Sequence, residues 1–151
     1  MTPDSRSDLK LGSFLPYVLN ILAERISAGL STIYADEYGL SIPEWRVIAN
    51  LAEHGTLNAR QIVKFTTMEK SMVSRAVNNL STRGLLSQQR ADGDSRAKDL
   101  ALTKAGNALY RAIVPRVLAW ERELLGSLNA AEYRDLLHSL DKLGAQLTAM
   151  E

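Results

Sequence analysis

The stretch MEKSMVSRAVNNLSTRGLL, Met68 to Leu86, decides the fold. Its apolar residues Met72, Val73, Ala76, Val77 and Leu80 fall at i, i+1, i+4, i+5 and i+8, one stripe along an α-helix. Lys70, Ser71, Ser74, Arg75, Asn78 and Asn79 take the opposite face, and Glu69 is the single acid beside them. A face that meets only water more often mixes Glu with Lys at helical spacing. This face is suited to touching something polar and negatively charged.

Working backwards from this helix, expected over 69–82 with Gly84 as its C′ residue, the turn TTM joins it to a shorter helix. Asn58 to Gln61 is the start signal of that shorter helix, which runs to about Phe65. Ser41 to Glu44 is an earlier capping box, opening the helix PEWRVIANLAEH, which Gly55 closes. Pro16 opens a long amphipathic segment that stops at Gly39. The leading MTPDSRSDLK is polar and expected to be disordered.

Working forwards, the period changes after Gly84. LLSQQR and KDLALT read as two short strands, and ADGDSRA between them supplies the turn residues of a hairpin over 85–103. Thr103 then caps a long helix that contains Pro115, where a kink or break is expected. Asn129 to Glu132 is a third capping box, and the last helix runs from there towards Met150. Two short helices across a tight turn, followed by a hairpin, describe a winged helix-turn-helix. The predicted class is mainly α with a small β-hairpin wing, carried on a helical dimerisation platform.

The bulk composition agrees with a soluble globular domain: 46% of residues are hydrophobic and 23% are charged. No run of 18 apolar residues and no charged-then-apolar leader is present, so a cytoplasmic location is expected. Zero cysteines rule out disulfides, thiolate metal sites and thiol redox sensing. With only His54 and His138 available besides carboxylates, no metal is expected, and no cofactor. A net charge of +1 conceals a segregation that matters more than the sum. From Ala59 to Lys104 nine Lys/Arg face four acids, so this segment holds +5 and the remainder −4.

The run RQIVKFTTMEKSMVSRAVNNLSTRGLLSQQRADGDSRAKDLALTKAG resembles the MarR family of bacterial transcriptional regulators. The residues that carry the resemblance are Lys70-Ser71-Met72-Val73-Ser74-Arg75, Gly84-Leu85-Leu86, Asp94-Ser95-Arg96, and Leu102-Thr103-Lys104-Ala105-Gly106. It implies a sequence-specific regulator of double-stranded DNA, a ligand-responsive homodimeric repressor on a palindromic operator. Helix 69–82 would enter the major groove and wing 85–103 the minor groove. Ser71, Ser74 and Arg75 would read bases, since arginine can fork onto guanine O6 and N7. Lys70 and Asn78 would hold phosphates, and Arg90 and Lys98 would add backbone contacts at the hairpin's base. Arg96 would extend from the wing tip into the minor groove, with Asp94 orienting the wing. Asn79 and Arg83 are read as serving the helix's solvated end. Glu69 is a poor N-cap, a departure that leaves site preference open.

Domain boundaries follow: a flexible segment 1–12, a dimerisation helix 13–40, the DNA-binding lobe 41–103 and dimerisation helices 104–151. The aromatic residues Tyr17, Tyr34, Tyr38, Trp45 and Tyr110 read first as core and dimer contacts. The resemblance also implies a small aromatic acid as effector, with Tyr17, Asn20, Trp45 and Arg46 as the positions to hold it. An enzyme is not expected, because no phosphate loop, nucleophile elbow or clustered titratable set occurs. The alternative reading is a helical interaction protein, such as an antirepressor, that keeps the fold without binding DNA. An acidic or apolar face on the 69–82 helix would have favoured it.

Overall fold

A computed structural model describes residues 8–90 and 97–151. After a single 3-10 turn at Leu11–Ser13 come α1 (Leu15–Ala35), α2 (Ile42–His54), α3 (Ala59–Thr66) and α4 (Lys70–Thr82). The hairpin strands β1 (Leu86–Arg90) and β2 (Lys98–Leu102) follow, then α5 (Lys104–Leu125) and α6 (Ala130–Met150). This is the expected order of helices and wing. The wing tip 91–96, which includes Asp94 and Arg96, lies outside the described residues.

Each of the three capping boxes that the sequence announces forms the bonds that make such a start stable. Ser41 Oγ accepts from the Glu44 amide at 3.2 Å while the Glu44 carboxylate accepts from the Ser41 amide at 2.9 Å. Asn58 with Gln61, and Asn129 with Glu132, make the same reciprocal pair at 2.8 to 3.0 Å. Each pair satisfies two amides that the helix itself leaves unbonded. Between α3 and α4 Thr67 takes a left-handed conformation, φ 57°. A β-branched residue pays for that conformation in sterics. Here its amide bonds the Val63 carbonyl at 2.8 Å, closing the turn that aims α4.

The chain divides into two compact units, the first ending at Val114 and the second beginning at Pro115. In the first, Val73, Ala76, Val77 and Leu80 of α4 are buried with Val47, Ile48 and Leu51 of α2 and Ile62 of α3. The strands pair antiparallel from Leu86↔Leu102 to Arg90↔Lys98. Leu57, in the link between α2 and α3, adds a one-residue bridge to Leu100, its amide and carbonyl bonding those of Leu100 at 3.0 and 2.7 Å. That bridge went unforeseen, since a single residue carries no periodicity. In the second unit no residue is buried, and Leu136, Leu137, Leu140, Leu143 and Leu147 of α6 are all exposed. Helix α5 continues through Pro115 rather than breaking there.

Where the wing returns to helix, Thr103 ties three elements together. Its hydroxyl donates to the Gly84 carbonyl at 2.6 Å and accepts from the Gly106 amide at 3.1 Å, while its own amide bonds the Leu85 carbonyl at 3.1 Å. Gly106 lies so close to Leu85 that a Cβ at this position would run into the Leu85 carbonyl oxygen. Gly106→Ala should therefore destabilise the protein by roughly 1–3 kcal/mol through overpacking. It does so despite the helix-propensity gain of about 1 kcal/mol that Ala brings over Gly. Urea unfolding of both proteins at one protein concentration checks this; an unchanged or raised midpoint would count against so close a contact.

Candidate nucleic-acid interface

Burial of one stripe of α4 commits the other. Lys70, Ser71, Ser74, Arg75 and Asn78 are all exposed and line a single open hollow along the helix. Among the described residues, none of these five side chains is engaged in a hydrogen bond or ion pair within the chain. The helix begins at Glu69, whose carbonyl accepts from Met72 and Val73 but whose side chain forms no cap. The first-turn amides of Lys70 and Ser71 therefore face outward without a capping side chain, at the positive end of the helix dipole. Two hydroxyls, an amide and two cations with their bonding capacity unspent are what a surface of phosphates and base edges can use.

Arg75 also borders a second, narrower hollow, where Ser41 and Pro43 at the start of α2 approach Met72, Ala76 and Asn79 of α4. No local pattern in the sequence announces this meeting, because its two sides lie 29 or more residues apart. Asn79 thus shares a hollow with Arg75. Arg83 is exposed, as expected for the helix's solvated end, yet it is engaged: its guanidinium donates to the Tyr38 and Gly39 carbonyls at 2.9 and 3.2 Å.

On the hairpin, Arg90 and Lys98 are exposed and stand directly opposite each other in the last described register pair. Like charges in that position repel across the strands, and an external anion relieves them. Asp94 and Arg96 fall in the tip beyond this pair, outside the described residues.

The four effector positions divide between two helices. Trp45 stacks between Tyr34 and Tyr110, with ring centroids 5.4 and 6.0 Å away and both interplanar angles 20°. Next to it on α2, Arg46 donates to Ser27 Oγ of α1 at 3.3 Å. Tyr17 and Asn20 are exposed on the first turns of α1, roughly 10–15 Å along the helix axis from Ser27 by the rise per residue. Among the described residues no group of three or more metal-ligating side chains occurs, and no helix is long and apolar enough to cross a membrane.

A helix-turn-helix whose second helix presents an uncommitted cationic face, followed by a wing with opposed cations, defines the class of winged helix-turn-helix DNA-binding proteins. A sequence profile described as MarR family matches residues 38–97. An HTH-type transcriptional regulator of Neisseria gonorrhoeae is 30% identical over 105 residues, 66% of this chain and 70% of that one. An HTH-type transcriptional repressor of Mycobacterium tuberculosis is 25% identical over 138 residues, covering 91% of this chain and 96% of the relative. The crystal structure of a MarR/EmrR family regulator from Acinetobacter superposes with a TM-score of 0.84 at 25% identity, over 93% of this chain and 99% of that one. The chain belongs to the MarR family and is a DNA-binding transcriptional regulator.

The aromatic stack of Tyr34, Trp45 and Tyr110 carries a pH signature. Burial pushes the Tyr34 phenol up from its ordinary value of 10.0, against a weaker opposing pull from the Arg46 charge. A raised native pKa means the unfolded chain releases this proton first. The associated stability is fully present below pH 10 and is lost as pH rises through the native value. Urea midpoints measured from neutral pH to about pH 11 should fall less steeply for Tyr34→Phe than for wild type. Parallel curves would show that Tyr34 does not contribute to the alkaline loss.

Proposed function

We propose that the protein acts as an effector-responsive dimeric repressor in the cytoplasm, with each α4 in the major groove of one half of a palindromic operator. The observation that carries this reading is the set of five unengaged side chains on the open face of α4. Arg75 forks onto a guanine edge, Ser71 and Ser74 reach bases, and Lys70 and Asn78 hold phosphates. Arg90 and Lys98 grip the backbone at the hairpin base, while Arg96, oriented by Asp94, enters the minor groove from the wing tip. The Mycobacterium relative is named a repressor, which supports that direction of control. Tyr17, Asn20, Trp45 and Arg46 serve a small aromatic acid, the arginine meeting its carboxylate. The cationic character of α4 counts against the antirepressor reading.

Dimerisation follows from one reading head per chain and from apolar surface left open. Leu15, Val18 and Leu22 of α1 are exposed, as are Leu136, Leu140, Leu143 and Leu147 of α6. A monomer rarely leaves apolar stripes like either of these to water. Isologous pairing through these helices sets two α4 helices roughly 34 Å apart, one turn of DNA.

Arg75→Ala should cost on the order of 1–3 kcal/mol on a duplex that the wild-type protein selects from a randomised library. On a shuffled duplex it should cost much less. Equal losses on both would make Arg75 a phosphate clamp and overturn the assignment. Sedimentation at micromolar concentration should give a dimer, and Leu140→Glu, placing a charge on the α6 stripe, should shift the protein towards monomer and weaken operator binding. A wild-type monomer would overturn the dimeric reading.

A further inference from the structure

We infer that Arg83 is a positioning residue for DNA recognition, setting the rotation and axial register of α4, and so the aim of Arg75, without touching DNA itself. The inference rests on the reading of α4 as the recognition helix. Arg83 immediately follows the last residue of α4. Its Nη2 donates to the Tyr38 carbonyl at 2.9 Å and its Nη1 to the Gly39 carbonyl at 3.2 Å, acceptors 45 and 44 residues back in the chain. The planar fork thus spans two successive carbonyls of the turn that follows α1.

That turn is a firm anchor. Gly39 adopts φ +65°, a conformation open to glycine at little cost. Its amide bonds the Ala35 carbonyl at 2.9 Å, and the amide of the buried Leu40 bonds the Tyr34 carbonyl at 3.1 Å. These bonds use carbonyls other than the two that Arg83 takes.

Most of what holds α4 has no direction. Val73, Ala76, Val77 and Leu80 hold its depth by burial, and apolar burial tolerates rotation and sliding that a hydrogen bond does not. The start of α4 has no side-chain cap to fix its azimuth. Its end has Arg83. Arg75 lies two turns earlier on the same rigid helix, so rotating α4 by about 10° moves a point on its outer surface, about 5–6 Å from the axis, by roughly 1 Å. Recognition constellations tolerate only about 0.5 Å or 10–20° of error. A restraint on rotation is therefore a restraint on which base edge Arg75 meets.

The experiment compares full-length wild type, Arg83→Ala, Arg83→Lys and Arg75→Ala on the wild-type-selected duplex and its shuffled version, at several salt concentrations, with thermal unfolding alongside. Arg83→Ala should weaken the selected duplex about tenfold, within the range for a disturbed bidentate base contact. The shuffled duplex should hold within about twofold and the salt slope should not change, because no phosphate contact is lost. Arg83→Lys keeps the charge but not the planar fork, so it should recover little; if Arg83→Ala fails to fold, Arg83→Lys carries the same comparison. Equal loss on both duplexes with a shallower salt slope, restored by lysine, would make Arg83 a phosphate contact and overturn the inference. Unchanged affinity with a lowered melting temperature would also overturn it, leaving a structural staple. If Arg75→Ala loses nothing on the selected duplex, the recognition-helix reading itself fails; if Arg75→Ala behaves as expected and Arg83→Ala loses nothing, only the role of Arg83 falls.

Discussion

Four side chains decide where everything else in the DNA-binding lobe can go. Val73, Ala76, Val77 and Leu80 are almost wholly withdrawn from water, and they lie on a helix of only thirteen residues. Burying a valine or leucine contributes about 1.5–3 kcal/mol, so this stripe is the largest stabilisation α4 has. An α-helix turns 100° per residue, and a stripe committed inward leaves no choice about which residues face outward. Lys70, Ser71, Ser74, Arg75 and Asn78 are presented because their neighbours are hidden. The exposed face is the complement of the core.

This explains why the exposed face of α4 is legible in the sequence. Periodicity speaks to a single helix, and both halves of the message lie within Met68 to Leu86. The capping boxes at Ser41, Asn58 and Asn129 were legible for the same reason, since each closes within four residues. What escaped notice is all long-range. The Leu57–Leu100 bridge spans more than forty residues, and so do the bonds from Arg83 to Tyr38 and Gly39. Arg83 is the instructive case: its exposure was foreseen, its engagement was not, because composition cannot say which distant carbonyls a guanidinium will find. Trp45 shows the same limit. The sequence left it between core and ligand contact, and its two ring partners come from α1 and α5, on either side of the lobe in chain order.

Thr103 and Arg83 act on the same short segment from different directions. Thr103 binds the Gly84 carbonyl and the start of α5, while Arg83 binds the turn after α1. The end of the recognition helix is thus joined by polar contacts to both helices that flank the lobe in sequence. Polar bonds of fixed length carry displacement better than side chains that slide on one another. A shift imposed on α1 or on the first turn of α5 has a short mechanical route to α4.

The segregation of charge bears on how the protein finds DNA as well as on how it grips it. A nearly neutral chain holds its positive surplus within residues 59–104 and a negative balance elsewhere. In the field of a polyanion that segment is drawn in even where the net pull on the chain is weak. Encounters are biased towards presenting the helix-turn-helix first, and the acidic segments resist lying against the duplex. Orientation is selected during approach, which shortens the rotational search that otherwise slows docking of one particular patch.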